Sequence, residues 1–411
     1  MAREMKDSGI AWIGEIPEGW KMCRIKDIFI LRTGTTPKDY EKWLDSDSLV
    51  NWFTPSDISE MNCELYSSER HLSKKVVINE NIKLHPVDSL LFVGIGASAG
   101  KIGFAKVESY SNQQITNLVP KKEKCYSKYF YYYMLADRKR IRDNAFFTTL
   151  PIINNSYLSN ISILSPSIIE QRAIADYLDR KCEEIDELIS LQEKIIEELM
   201  AYKQSVITEA VTKGLNPNAR LVPSGIDWIG DVPEGWKVCR IKDMVNLQSG
   251  TNLTSTEFSD SGIYPVYGGN GLRGYYEDYS NDGEYILIGR QGALCGNINY
   301  ASGKFWATEH AVVCYPKRAF ARIWLGELLR AMNLGQYSLS SAQPGLAVER
   351  IKNLKMPLPP ITEQQTIASY LNMKYSEIDA LITLKQQKIE TLNDYKKSII
   401  YECVAGKTEI A

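Results

Sequence analysis

Three side-chain amides in a row, Asn112, Gln113 and Gln114, follow a stretch that reads as a strand, and each carries a hydrogen-bond donor beside an acceptor. That pairing matches the major-groove edge of adenine. The aligned positions of the second half hold Thr308, Glu309 and His310, a change of chemistry expected where a position touches bases. Polar loop residues satisfied locally are the alternative. A basic run, Arg138, Lys139, Arg140 and Arg142, can clamp phosphates or serve as a solvated helix face. Lys74, Lys75 and Lys101 offer the same choice. In the second half Arg273, Arg290, Gln291 and Lys304 are the corresponding candidates, with Lys317, Arg318 and Arg322 as phosphate contacts.

Catalytic patterns fail on spacing. After Gly94-x-Gly96 the third glycine falls at Gly100, one position late for a dinucleotide fingerprint, so a turn is the expectation. Gly100-Lys101 lacks a glycine at 95 and a Ser or Thr at 102, and Gly406-Lys407-Thr408 lacks a glycine at 401, so neither is a phosphate loop. There is no Asn-Pro-Pro-Tyr or Asp-Pro-Pro-Tyr methylase box, no nuclease set and no serine-nucleophile elbow. The eight cysteines are scattered without a C-x-x-C pair, and the histidines are only His71, His85 and His310, so no metal site and no disulfide framework are expected. The expectation is a chain with no catalysis of its own, no cofactor and no metal. With 44% hydrophobic residues, no signal-like start and no apolar run long enough to span a bilayer, it reads as soluble and cytoplasmic, without a membrane partner.

The elements that must position these residues come in two copies. Ser8 to Asp27 recurs 216 positions later as Ser224 to Asp243, and Pro151 to Leu199 recurs 193 positions later as Pro344 to Leu392. Between these blocks the halves diverge, apart from Gly94 to Gly100, which resembles Gly289 to Gly296 if one insertion is allowed. Like framework around unlike filling suits two modules of one fold facing different targets. The opening block, rich in turns, predicts a loop-and-strand clasp, with Trp12, Trp20, Trp228 and Trp236 as packing anchors. Apolar runs at 89–94 and 284–289 predict strands, and 128–142 and 321–332 predict helices. Each module is therefore expected to be strand-rich mixed α/β.

After Pro166 and Pro359 the chain changes character. Glu170 to about Thr212 has no Pro and no Gly, and its apolar residues Leu178, Ile185, Leu188, Ile195, Leu199, Tyr202 and Val206 recur at spacings near three and four. Glu363 to about Val404 repeats the pattern with Leu371, Ile378, Leu381, Leu392, Tyr395 and Ile399. Each predicts a helix of about 65 Å, too long to bury itself in a small domain, so the two stripes should pair antiparallel into a bar between two heads. Net charge is −2, but residues 166–213 hold 6 Lys/Arg against 11 Asp/Glu, whereas 34–160 hold 16 against 14. The acidic helix suits a protein-docking face, with Glu183, Glu184, Glu197 and Glu198 as candidates.

Pro-Glu-Gly-Trp at 17–20 and 233–236, the glycine-rich turns at 94–100 and 289–296, Asn-Ile at 160–161 and Asn-Leu at 353–354, and Pro-x-x-x-Glu-Gln followed by Ile-Ala-x-Tyr-Leu at 166–178 and 359–371 together make the chain resemble the specificity-subunit family of type I restriction–modification systems, over its whole length. The resemblance implies target-recognition domains at 1–165 and 216–358, each reading half of a bipartite, asymmetric site in double-stranded DNA. Helical spacer regions at 166–215 and 359–411 would set the gap and dock two methyltransferase (modification) subunits, with motor-nuclease (restriction) subunits joining that core. Half-sites on one face of a duplex lie about 34 Å apart, a separation a helical bar can hold. The competing expectation is a coiled-coil scaffold with two peptide- or protein-binding heads, which would bind no DNA alone or with partners.

Overall fold

A computed structural model describes residues 3–10, 13–38, 49–60, 64–121, 124–143, 146–147, 151–254, 256–292, 294–338 and 345–410. Trp12, Cys63 and Pro344 lie outside them. The chain forms two compact units, residues 1–192 with 387–411, and residues 193–386.

In the first unit the main sheet runs in the order Phe29–Thr33, Ile115–Pro120, Leu90–Val93, Ile102–Ala105, Glu64–Leu65, with only the last pair parallel. Leu90-Leu-Phe-Val93 is a continuous apolar run because both faces of its strand are covered. Leu90 and Phe92 join a core with the helix Ser127–Asp143, while Leu91 and Val93 join a second core with Phe53, Ile58 and Ile115. The helix carries five consecutive buried aromatics, Tyr129 to Tyr133, as a helix half enclosed on all sides must, while its second half reaches the surface. A smaller sheet places Leu49–Phe53 between Tyr110–Ser111 and His71–Ser73.

The second unit repeats the first four of these strands, in the same order, as Val245–Ser249, Ala311–Pro316, Tyr285–Gly289 and Ile298–Ala301. Ile286 and Ile288 face the core holding the helix Arg322–Ala331, and Leu287 faces Phe305 and Val313. Its smaller sheet has the order Gly271–Tyr276, Tyr264–Gly268, Lys304–Ala307, Asn281–Asp282.

The clasp expected from the opening block is present in both units. Met5–Asp7 pairs with Glu15–Pro17, and Lys21–Arg24 pairs with Ser162–Ser165. The repeat pairs Leu221–Ile226 with Gly230–Pro233, and Lys237–Arg240 with Lys355–Leu358. Trp20 and Trp236 are buried anchors, and each indole N–H donates to a carboxylate opening a long helix, Trp20 to Glu170 at 3.1 Å and Trp236 to Glu363 at 2.9 Å. The next residue completes the knot. Gln171 Oε1 accepts from the Tyr126 N–H at 2.9 Å and Gln364 Oε1 from the Ala321 N–H at 3.1 Å, while their amide nitrogens donate to the Pro166 and Pro359 carbonyls. The Glu-Gln pair therefore ties clasp, module helix and long helix together.

The long helices span Ile168–Lys213 and Ile361–Val404 without interruption. Ser167 and Glu170 cap the first reciprocally, which carries it two residues beyond the expected start. In the first unit Ile174, Leu178, Cys182 and Ile185 share a core with Ile399, Ile400 and Cys403, and Lys396 donates to Asp186 at 2.6 Å. In the second, Val206, Ile207 and Ala210 share one with Ile367 and Leu371, and Lys203 donates to Asp379 at 2.6 Å. Asp379 and Lys396 are the repeat counterparts of Asp186 and Lys203, so one pair is made twice. The seam differs in part from the expected stripe: it passes through Cys182, Ile189 and Gln192, leaving Leu188, Tyr202, Leu381 and Tyr395 exposed.

Candidate nucleic-acid interface

At one edge of the first unit's main sheet, Phe29–Thr33 runs out into residues 34–38, Leu90–Val93 runs out into the turn 94–100, and Ile115–Pro120 is entered from Asn112–Gln114. Antiparallel pairing brings all three connections together. Backbone hydrogen bonds fix them: Gly34 N–H to Ile115 O at 3.0 Å, Thr35 N–H to Ser111 O at 2.8 Å, Gly94 N–H to Gln114 O at 2.8 Å and Ile153 N–H to Gly94 O at 2.7 Å.

The second unit builds the same edge. Gly250 N–H donates to Ala311 O at 2.9 Å, Thr251 N–H to Ala307 O at 2.9 Å, Arg290 N–H to His310 O at 2.8 Å and Leu346 N–H to Arg290 O at 2.9 Å. A Cβ at Gly34 would stand 2.1 Å from the Asn112 carbonyl oxygen, and one at Gly250 2.1 Å from that of Ala307, so only glycine lets the chain cross beneath the turn. Gly100 N–H closes on Val93 O and Gly296 N–H on Gly289 O, so the glycine-rich turns correspond residue for residue. The insertion suggested by sequence is not there, and Arg290 occupies the position of Gly94.

On this shared frame the side chains differ. Asn112 is buried and its amide is used within the turn, donating to Gln114 Oε1 at 3.0 Å and accepting the Gln114 N–H at 3.1 Å. Gln113 is exposed and accepts from the Thr36 hydroxyl, and Gln114 is half-buried. In the second unit the His310 imidazole lies 3.1 Å from the Glu309 carboxylate, and the Asn252 amide, nitrogen towards Glu309, donates to it at 3.2 Å. Arg290 donates to Ser249 Oγ at 3.2 Å, and Gln291 is exposed. Gly269 abuts the backbones of Arg290, Gln291 and His310, which brings the hairpin bearing the exposed Arg273 to the same edge.

The basic run of the first unit flanks this edge, since a Cβ on Gly100 would touch Arg142 and Arg138 at 3.5 and 3.8 Å. Its members have different tasks. Arg138 pairs with Glu60, as Lys101 does at 3.4 Å. Burial alone would raise the Glu60 pKa, but Arg138 and Lys101 hold it below the ordinary value. Arg140 makes a two-point bond to Asp137, whose side chain is 1% exposed. In the second unit's helix Arg330 Nε pairs with the buried Glu327 at 3.0 Å, while its other nitrogen donates to the Ile298 carbonyl. Lys139 and Arg142 are exposed and carry no ion pair among the described residues.

Other candidates lie elsewhere. Lys74 and Lys75 are exposed at the start of the helix Lys74–Asn79; beyond its far end Glu80 accepts the Lys38 N–H at 3.2 Å. Lys304 begins the strand that ends at Ala307, its ammonium 4.4 Å from the Tyr279 ring centre. Lys317 and Arg318 lie beyond the opposite end of Ala311–Pro316 from His310. The Lys317 ammonium donates to the Lys242 carbonyl at 2.8 Å, as Lys121 does to Lys26 at 2.7 Å, a frame contact made in both units. Arg322 is engaged with the Ala301 carbonyl and Glu284. Residues not anticipated from sequence also join the edges, namely Thr36, Ser249 and Asn252. The signal was available in Gly34-Thr35 and Gly250-Thr251, which extend the first repeat at its own offset.

Burial pushes the Cys23, Cys182 and Cys239 thiols up to about 11 and those of Cys125 and Cys403 up to about 12, which suits packed thiols rather than nucleophiles. Among the described residues no group of three His, Cys, Asp or Glu is placed to hold a metal ion, and no helix is long and apolar enough to cross a membrane.

Two like frames with unlike edges, each continuous with two long helices, define a duplicated recognition protein. The family described as type I restriction modification DNA specificity domain matches residues 17–201 and again 233–394, and the chain belongs to that family. It is 30% identical over 376 residues to the type I restriction enzyme EcoprrI specificity subunit of Escherichia coli, covering 87% of this chain and 88% of that one. It is 23% identical to the MjaVIII specificity subunit of Methanocaldococcus jannaschii, covering 96% and 94%. In fold it is similar to the HsdS subunit from Thermoanaerobacter tengcongensis, with a TM-score of 0.56 at 16% identity over 98% of this chain and all of that one. A chain from a type I R-M system, solved for complex assembly and conformational transition, gives a TM-score of 0.73 at 16% identity over 96% of this chain and 99% of that one.

Proposed function

We propose that this chain is the sequence-reading, non-catalytic subunit of a type I restriction–modification enzyme. Modules 1–165 and 216–358 each read half of a bipartite, asymmetric DNA site. The helical regions 166–215 and 359–411 set the spacer and dock two methyltransferase subunits, to which motor-nuclease subunits are added. The observation that carries this reading is the pair of edges with matching backbone and divergent side chains, amides with a bare Gly94 in one unit, and Arg290, Glu309 and His310 in the other. Identical heads would read a palindrome; unlike heads read two different half-sites.

Of the candidate contacts, Gln113, Gln114, Arg273, Arg290, Gln291 and His310 are assigned to bases. Lys74, Lys75, Lys139 and Arg142 are assigned to phosphates.

The test is methylation mapping in cells carrying the chain with its modification subunit. Exchange of residues 34–160 for another family member's should change one half-site and leave the other intact. Arginine pairs bidentately with guanine, so Arg290→Ala should relax one guanine of the other half-site by about 1–3 kcal/mol. A change in both half-sites, or in neither, would overturn the assignment, and absence of DNA binding with and without the partner would favour the scaffold reading.

A further inference from the structure

The loop edge of the second unit carries two large apolar side chains among its polar ones. Leu272 and Leu294 are each 53% exposed, on the edge that also bears Arg273, Arg290 and Gln291. A lone exposed leucine is ordinary on a protein surface. These two are brought together by built backbone contacts.

Leu272 belongs to the hairpin of Tyr264–Gly268 and Gly271–Tyr276, whose tip is Gly269-Asn270. Close approaches clamp that tip to the edge. A Cβ on Gly289 would collide with the Gly269 carbonyl oxygen and stand 3.0 Å from that of Leu294, which sets the Leu294 backbone against the tip. One on Gly269 would stand 3.0 Å from the Gln291 carbonyl oxygen, and one on Gly271 3.0 Å from Asn299 Oδ1. Asn297 Nδ2 also donates to Asn270 Oδ1 at 3.2 Å. A bulge then sets the aim of the side chains. Leu272 faces Tyr267 and Gly274 faces Val266, which leaves Arg273 as the extra residue. Successive residues of a regular strand point to opposite faces, yet Leu272 and Arg273 are both exposed, the redirection a bulge provides.

The first unit has neither leucine. Its strand Leu49–Phe53, equivalent to Tyr264–Gly268 by its parallel neighbour, pairs on the other side with His71–Ser73 and not with a hairpin partner. Ser98 stands at the position of Leu294. The apolar pair therefore belongs to one head alone, as a determinant of one half-site would. Arginine and glutamine offer hydrogen bonds to base edges, whereas the apolar group that projects into the major groove is the C5 methyl of thymine. We propose that Leu272 and Leu294 form the seat of one thymine methyl in the half-site read by residues 216–358, flanked by Arg273 and Gln291. The proposal rests on the recognition-subunit reading above.

The experiment measures binding of the full-length chain, in complex with its modification subunit, to duplexes carrying the mapped site. Each thymine of that half-site, on either strand, is replaced in turn by deoxyuridine, which removes the methyl and keeps every hydrogen-bonding group. One replacement should weaken binding about fourfold, the worth of one buried methyl group. In the variant with Leu272→Ala and Leu294→Ala the same replacement should cost nothing, and in the variant with Leu272→Met and Leu294→Met the penalty should remain, with the Tm of the free chain unchanged in both. Arg273→Ala should relax a different position and keep the uracil penalty. A half-site in which no uracil replacement weakens binding would overturn the proposal, as would a penalty undiminished in the double alanine variant. So would a double alanine variant that weakens binding to both duplexes while 2-aminopurine placed beside the site loses fluorescence, since the leucines would then act as a wedge between bases. The recognition reading fails if the complex shows no sequence-selective binding; the methyl seat fails while selective binding persists.

Discussion

Arg138, Arg140 and Arg142 lie within two turns of one helix and meet three environments. The sequence shows their charge but not their partners, because Glu60 and Asp137 come into range only when the helix is folded against its module. Burial raises the Asp137 pKa and Arg140 opposes that rise. Arg140→Ala should therefore destabilise the chain at pH 7 by about 3 kcal/mol, the cost of an unpaired buried charge. A carboxyl whose folded pKa is raised favours the fold below its unfolded value and loses that advantage as pH rises through the folded one. The deficit of the variant should accordingly shrink as pH is lowered towards the raised pKa, measured by urea unfolding across pH. Lys139→Ala and Arg142→Ala should change stability by less than about 0.5 kcal/mol while each lowers the slope of log affinity against log salt by about one phosphate contact. Lys317 taught the same lesson from the other side: a cation that sequence places on DNA reaches a carbonyl of its own frame.

The long helices were legible as elements, with their bounds expected to within two residues, because a run of more than forty residues without Gly or Pro leaves little alternative. Their inward face was only partly legible. Gln192 is polar yet buried, and Leu188 is apolar yet exposed, so a stripe drawn through apolar residues alone leaves the true seam midway. The strands and the clasp were legible from apolar runs and turns, but the loop edge was not, since it depends on glycine crossings such as that of Gly34 beneath Asn112. The twice-made ion pair sits in two settings. The Lys396 side chain is 4% exposed, whereas that of Lys203 is 28% exposed against an Asp379 that is 58% exposed. Asp186→Asn strands a buried ammonium and should cost about 3 kcal/mol, and Asp379→Asn about 0.5 kcal/mol, as read from denaturant midpoints of the free chain.

For the whole chain, the proposed spacer function makes the length of the helices a measurable quantity. One extra helical turn after Glu193 with a matching turn after Gln386 adds about 5.4 Å, between one and two base pairs of duplex at roughly 3.4 Å each. The mapped methylation site should lengthen in its gap by that amount and keep both half-sites, whereas altered bases with an unchanged gap would contradict the idea. The clasps carry one more consequence. Lys407 donates to the Glu15 carbonyl at 2.6 Å and Gly406 abuts Pro17 and Trp20, just as Gly214 abuts Pro233 and Trp236. The way out of each long helix thus stands beside the clasp of the unit that helix has reached, whether or not a covalent link continues there. A short bridge from residue 410 to residue 3, with the chain reopened between 214 and 220, would exchange the order of the heads in the gene while leaving each clasp beside the helix end it now holds.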